Sequence, residues 1–173
     1  MPQTGSTPLI YTPEQRQRRD ATVWTLVQGV LAPIQFLVFL VSVWLIARTL
    51  WWQGDAAWAV GSVVIKTAVL YAIMVTGCIW EKVVFGQYLF APALFWEDVV
   101  SMGVMALHTA YLVAWWTQAL GTGPLLALAL AAYGAYFVNA AQFLYKLRQA
   151  RMQPGSAYAD SDPLPSLSMG QTP

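Results

Sequence analysis

One cysteine and one histidine occur among 173 residues. Cys78 alone cannot close an internal disulfide or hold an iron–sulfur cluster. His108 alone excludes a bis-histidine haem within one chain, and no zinc-type Cys/His spacing is present. Charge is equally scarce. Asp, Glu, Lys and Arg make up 10% of the chain, against about 25% in an ordinary globular domain. The net charge of +1 leaves no basic field for nucleic acid. Apolar residues fill the space instead, at 58%, and the shortage of charge points to lipid. The length suits one domain.

Four apolar runs stand out, at about 23–47, 57–80, 94–116 and 124–145. Each reaches the roughly 20 residues that a helix needs to cross a bilayer. Continuous runs rather than alternation favour helices over a barrel. The first run follows Arg16, Arg18 and Arg19 but is too long for the roughly 7–15-residue core of a cleavable signal, so it reads as a retained span. The expected fold is an all-α membrane protein: four transmembrane helices in a bundle over 23–150, a polar segment at 1–22, and a Pro/Ser-rich, disordered tail at 151–173. Basic residues precede the first run and follow the last (Lys146, Arg148, Arg151), so both termini are expected in the cytoplasm. The connection EKVVFGQYLFAPA is unusually apolar, and is expected to lie in the interface or to extend the helices beside it.

Ionisable groups inside spans are expensive and read first as functional candidates. Lys66 sits mid-helix, about 14 residues before Trp80, or ~21 Å at the helical rise. His108 lies at a similar depth on the third span, so the two can face each other. The bland alternatives are a snorkelling Lys66 and a His108 bonded to a neighbouring helix. Helical phase puts Glu97, Ser101, His108 and, more loosely, Tyr111 on one face, and turns Asp98 away with Met105 and Thr109. Gln28, Gln35, Asn139 and Gln142 read as interhelical hydrogen-bonding groups. Glu81, Glu97 and Asp98 gather at one membrane level with Lys82 nearby. The bland reading is acids favoured by a helix N-terminus and paired with Lys82. The dipole favours their anions, whereas desolvation favours their protonated forms.

The segments YTPEQRQRRDATVWTLVQGVLAPIQFLVFLVSVWL and VLYAIMVTGCIWEKVVFGQYLFAPALFWEDVVSMGVMALHTAYL resemble the 3-vinyl bacteriochlorophyllide hydratase family (2-vinyl in older ring numbering). The resemblance covers about residues 11–150, and the block IWEKVVFGQYLFAPALFWEDVVSM is its most specific part. It implies addition of water to the C3 vinyl group of chlorophyllide a or 3-vinyl bacteriochlorophyllide a, giving a 3-(1-hydroxyethyl) group in bacteriochlorophyll a synthesis. Such a hydro-lyase is non-redox, so no cofactor is expected; the substrate carries magnesium. The implied location is a bacterial inner or intracytoplasmic photosynthetic membrane. The implied partners are the pigment substrate and lipid, and the chain is expected to work as a homo-oligomer or beside other pigment enzymes. No catalytic residue comes with the resemblance. On chemistry alone, Glu97 is expected as the acid, with Glu81 or Asp98 placing water. His108 is expected to serve as axial ligand to substrate magnesium or as a second proton-transfer group, with Lys66, Ser101 and Tyr111 at the substrate. Two competing readings are a non-catalytic pigment-binding or assembly protein, and a scaffold or transporter subunit with a Lys66–Glu97 ion pair.

Overall fold

The computed structural model describes residues 10–152. Five helices and no strand occur among them: α1 (Pro13–Ala21), α2 (Val23–Trp52), α3 (Ala56–Phe85), α4 (Phe95–Trp116) and α5 (Thr122–Met152). The all-α expectation holds, and α2 to α5 are long and apolar enough to cross a membrane. The expected disordered tail lies almost wholly outside the described residues.

α1 is an element beyond the four expected spans. Its start is a capping box: Thr12 Oγ1 accepts from the Gln15 N–H, and the Gln15 side chain accepts from the Thr12 N–H. Pro13, in the first turn, needs no N–H there. Arg18 and Arg19 in the last turn suit the negative end of the dipole. The helix stops at Thr22, whose extended backbone also begins α2. Tyr11 stacks on Phe85 at 5.6 Å, and the Arg19 guanidinium lies 5.0 Å from the Tyr11 ring centre. Thr25 accepts from the Trp80 indole N–H at 2.9 Å. These contacts tie the N-terminal segment to the end of α3.

The spans form two hairpins. A turn at 53–55 joins α2 to α3, with Gln53 left-handed and Asp55 capping the Ala57 N–H at 2.8 Å. α3 runs on to Phe85, so the first residues of the apolar connection are helical. It ends at Gly86, whose φ of 88° closes the helix without the steric cost of a side chain. α2 packs mainly on α3 and α4 on α5, with sparser contact between the hairpins. That sparser seam holds the core, with Ile46, Val63, Tyr111, Leu126 and Tyr133 in one cluster and Leu70, Val104 and Tyr136 in another. Large apolar side chains on the outside, such as Leu37, Trp44, Ile65 and Phe137, are exposed as lipid-facing groups are.

Polar pairs fix the register. Gln28 donates to Thr76 at 2.7 Å, Asn139 to Ser101 at 2.9 Å, and Ser42 bonds both Ser62 (2.7 Å) and Tyr133 (2.6 Å). In a membrane such bonds contribute about 0.6 kcal/mol on average. Tyr133→Phe is therefore expected to lower stability by about 0.6–1 kcal/mol, read as a small fall in melting temperature in detergent; a loss several times larger would mean that Tyr133 also holds something else.

Candidate functional site

Three buried carboxyls gather where α3 ends and α4 begins. Glu81, Glu97 and Asp98 are 3%, 8% and 5% exposed, so each reaches the surface only as a sliver. The helical phase holds: consecutive residues at the head of α4 send Glu97 toward α5 and Asp98 toward α3. Glu97 Oε2 accepts from Lys146 Nζ at 2.8 Å, and the same ammonium donates to the Ala93 carbonyl. Lys146, expected only as an orientation marker, is thus the cation of this end. The proposed Lys66–Glu97 ion pair is not formed.

Glu81 and Asp98 hold the connecting loop. Glu81 Oε1 accepts from the Ala91 N–H at 2.6 Å, and Asp98 Oδ2 from the Phe90 N–H at 2.7 Å. The two carboxyls thus anchor consecutive N–H groups of one loop and are close enough to act on each other. The ion pairs among the described residues are Arg19–Asp20 and Lys146–Glu97, and neither involves this dyad. Lys82, which the bland reading pairs with one of the acids, turns outward; it donates to the Gly86 carbonyl at 2.7 Å and lies 5.3 Å from the Tyr88 ring centre. An ionised carboxylate only accepts hydrogen bonds. Two buried carboxyls at close quarters resist ionising together and favour sharing a single proton.

A second polar group lies deeper. Lys66 and His108 are fully buried, and both approach Tyr133. Lys66 Nζ sits 3.6 Å from the Tyr136 ring centre and 5.9 Å from that of Tyr133, a cation–π arrangement. His108 Nδ1 lies 2.8 Å from the Val104 carbonyl. A carbonyl can only accept, so the proton sits on Nδ1 and leaves a lone pair on Nε2. Neither Lys66 Nζ nor His108 Nε2 has a hydrogen-bond partner among the described residues. Ser101 lies on α4 between the two levels; its hydroxyl donates to the Glu97 carbonyl and accepts from Asn139. Tyr111 stands apart, buried in the apolar core with its hydroxyl 3.5 Å from the Val60 carbonyl.

A cavity of about 230 Å³ opens at the opposite end, between Val60, Trp115, Gln118 and Leu125. It is smaller than the roughly 300–1,000 Å³ of ordinary ligand pockets and touches none of the acids. Outside the acids, by contrast, lies an exposed aromatic row of Phe90, Phe95 and Trp96. Both described chain ends are on this side, since Tyr11 packs on Phe85 and Lys146 reaches Glu97.

The sequence profile of the 2-vinyl bacteriochlorophyllide hydratase family matches residues 11–149. A protein of that name from Rhodobacter capsulatus is 59% identical over 155 residues, covering 90% of each chain. One from Cereibacter sphaeroides is 61% identical over 152 residues, covering 86% of this chain and 92% of its own. No solved structure matches.

Proposed function

Because the chain belongs to the 2-vinyl bacteriochlorophyllide hydratase family, we propose that its acid-lined end is where hydration takes place. The protein is a hydratase of bacteriochlorophyll synthesis, a hydro-lyase acting on a vinyl group that newer ring numbering calls 3-vinyl. Four apolar helices make it an integral membrane protein. We place the acid end in the cytoplasm, because Arg16, Arg18, Arg19, Lys146 and Arg148 belong to that side and basic residues favour it. The membrane is then the bacterial inner or intracytoplasmic one.

The observation that carries the site is the buried Glu81–Asp98 dyad at the edge of the bundle, whose two carboxyls accept from consecutive N–H groups of the connecting loop. Its shared proton goes to the terminal vinyl carbon, which becomes a methyl group. The alkene electron pair forms the new C–H bond, and the cation left on the inner carbon is delocalised into the macrocycle. Water adds to that carbon, and the proton it sheds returns to the dyad. One water is consumed and no electrons leave, so the step needs no redox cofactor. General acid–base catalysis of this kind is worth about 10²–10⁴-fold.

Glu97 is favoured as the acid by its position on the His108 face of α4. Its engagement by Lys146 shifts that proposal to the dyad and leaves Glu97 to orient Lys146 and the head of α4. His108 has the free lone pair of a magnesium ligand, yet it lies ~16 Å along α4 from Glu97 at the helical rise. A macrocycle whose vinyl group is at Asp98 keeps its magnesium closer to the acids than that. We therefore treat His108, Lys66 and Ser101 as interior polar groups: Lys66 reaches across the hairpins to Tyr136, while Ser101 and His108 pack α4 on α5. His108→Ala is expected to leave pigment affinity within about twofold, well under the ~1.4 kcal/mol of a tenfold change; a large loss would move the macrocycle inward.

Deuterium placement tests the mechanism. Turnover of the vinyl pigment in heavy water should put one non-exchangeable deuterium on the new methyl carbon and the hydroxyl on the inner carbon. Deuterium on the inner carbon would contradict cation formation there.

A further inference from the structure

We propose that Phe90 is a positioning residue, held in a strained turn by the acid dyad so that its ring stacks on the substrate macrocycle. The proposal rests on the hydratase reading and names the surface that the macrocycle occupies. Phe90 has a φ of 61°. That region is uncommon for any residue with a side chain, and a bulky one there is an outlier. Gln53 and Gly86 also have positive φ, but they cap α2 and α3, and Gln118 follows the end of α4. Phe90 closes no helix.

Burial does not account for the strain. The ring is 41% exposed, while its neighbours Ala91 and Leu94 are 0% and 6% exposed. Lipid contact does not account for it either, since apolar side chains face outward all along α2 from ordinary helical backbone. A turn that needed only positive φ would be met by glycine, as at Gly86. What distinguishes this turn is its anchorage: the Phe90 N–H donates to Asp98 and the next N–H to Glu81, the two members of the dyad. Strained backbone over-determined in this way gathers at functional sites.

The ring is not alone. It lies 5.8 Å from Phe95, which lies 5.5 Å from Trp96, and these two are 44% and 69% exposed. Three exposed aromatic rings beside two acids fit a large, flat, aromatic ligand with one reactive edge group. Stacking on such a surface gains energy beyond simple burial. The macrocycle lies on this row with its vinyl edge at Asp98.

The test uses the full-length protein in detergent, with Phe90→Gly and Phe90→Tyr. Three quantities are read: melting temperature, affinity for the magnesium-bearing vinyl pigment, and KM against kcat. Glycine is relaxed at this φ, so Phe90→Gly should melt at or above the parent temperature. It should nonetheless lose about tenfold in pigment affinity and raise KM by a similar factor. Phe90→Tyr should restore both. Parental affinity in Phe90→Gly overturns the proposal, as does a loss of affinity that merely follows a loss of stability. The affinity arm decides even if the parent protein binds pigment without hydrating it; that outcome would sink the hydratase reading alone. A parent that binds no vinyl pigment overturns both.

Discussion

Asp98→Asn should lower turnover of the vinyl substrate by about 10²–10⁴-fold while the pigment still binds. The reasoning is geometric. Asp98 and Glu81 are buried together on one loop, whose consecutive N–H groups they accept from, and neither is in an ion pair among the described residues. An amide at this position can donate to Glu81, so the contact survives, but it has no acidic proton to give. Oδ1 of the new side chain can still accept from the Phe90 N–H, which keeps the loop in place. Glu81→Gln should act similarly, because in either variant the amide donates to the remaining carboxyl and favours its anion over the acid that protonates the vinyl group. Glu97→Gln provides the contrast. Its parent carboxylate is engaged by Lys146, so its loss should cost turnover less than either dyad variant. Turnover in Asp98→Asn within a few-fold of the parent, with Glu97→Gln inactive, would return the acid role to Glu97.

The second large effect concerns stability. Lys146→Met should destabilise the protein by about 2–3 kcal/mol, below the 3–5 kcal/mol of a fully buried pair because Lys146 keeps partial exposure. Two acceptors lose their donor at once, Glu97 Oε2 and the Ala93 carbonyl. The first is left as a nearly buried charge. Removing that charge as well should recover much of the loss, so Lys146→Met with Glu97→Gln should be more stable than Lys146→Met alone. A reversible denaturation cycle on the four proteins reads the coupling, expected within about 0.5–3 kcal/mol. Additive losses would show that the two groups do not interact.

The sequence exposed some of this fold and hid the rest for identifiable reasons. The spans were legible because four long apolar runs with few charges have no soluble alternative. The split between Glu97 and Asp98 was legible because helical phase fixes it once α4 is granted. Gln28 and Asn139 pair across helices as amides in spans do. α1 was missed although its signal was present: Thr12 and Gln15 have the spacing of a capping box, with Pro13 in the first turn. The Lys146–Glu97 pair left no local trace. The two residues are 49 positions apart, and nothing in either neighbourhood says how α5 meets α4. The Glu81–Asp98 dyad was half visible. The sequence put both acids at one level, but their contact depends on how the 86–94 loop folds back. Phe90 was silent, since no residue preference predicts an aromatic side chain in left-handed backbone.

One measurement bears most directly on the whole account: the mass of the pigment recovered after incubation with the purified protein alone. The account predicts a product heavier than the 3-vinyl substrate by one water, formed by the parent protein without added cofactor and not by Asp98→Asn. Substrate returned unchanged by a parent protein that binds it would contradict the account and leave a pigment carrier in its place.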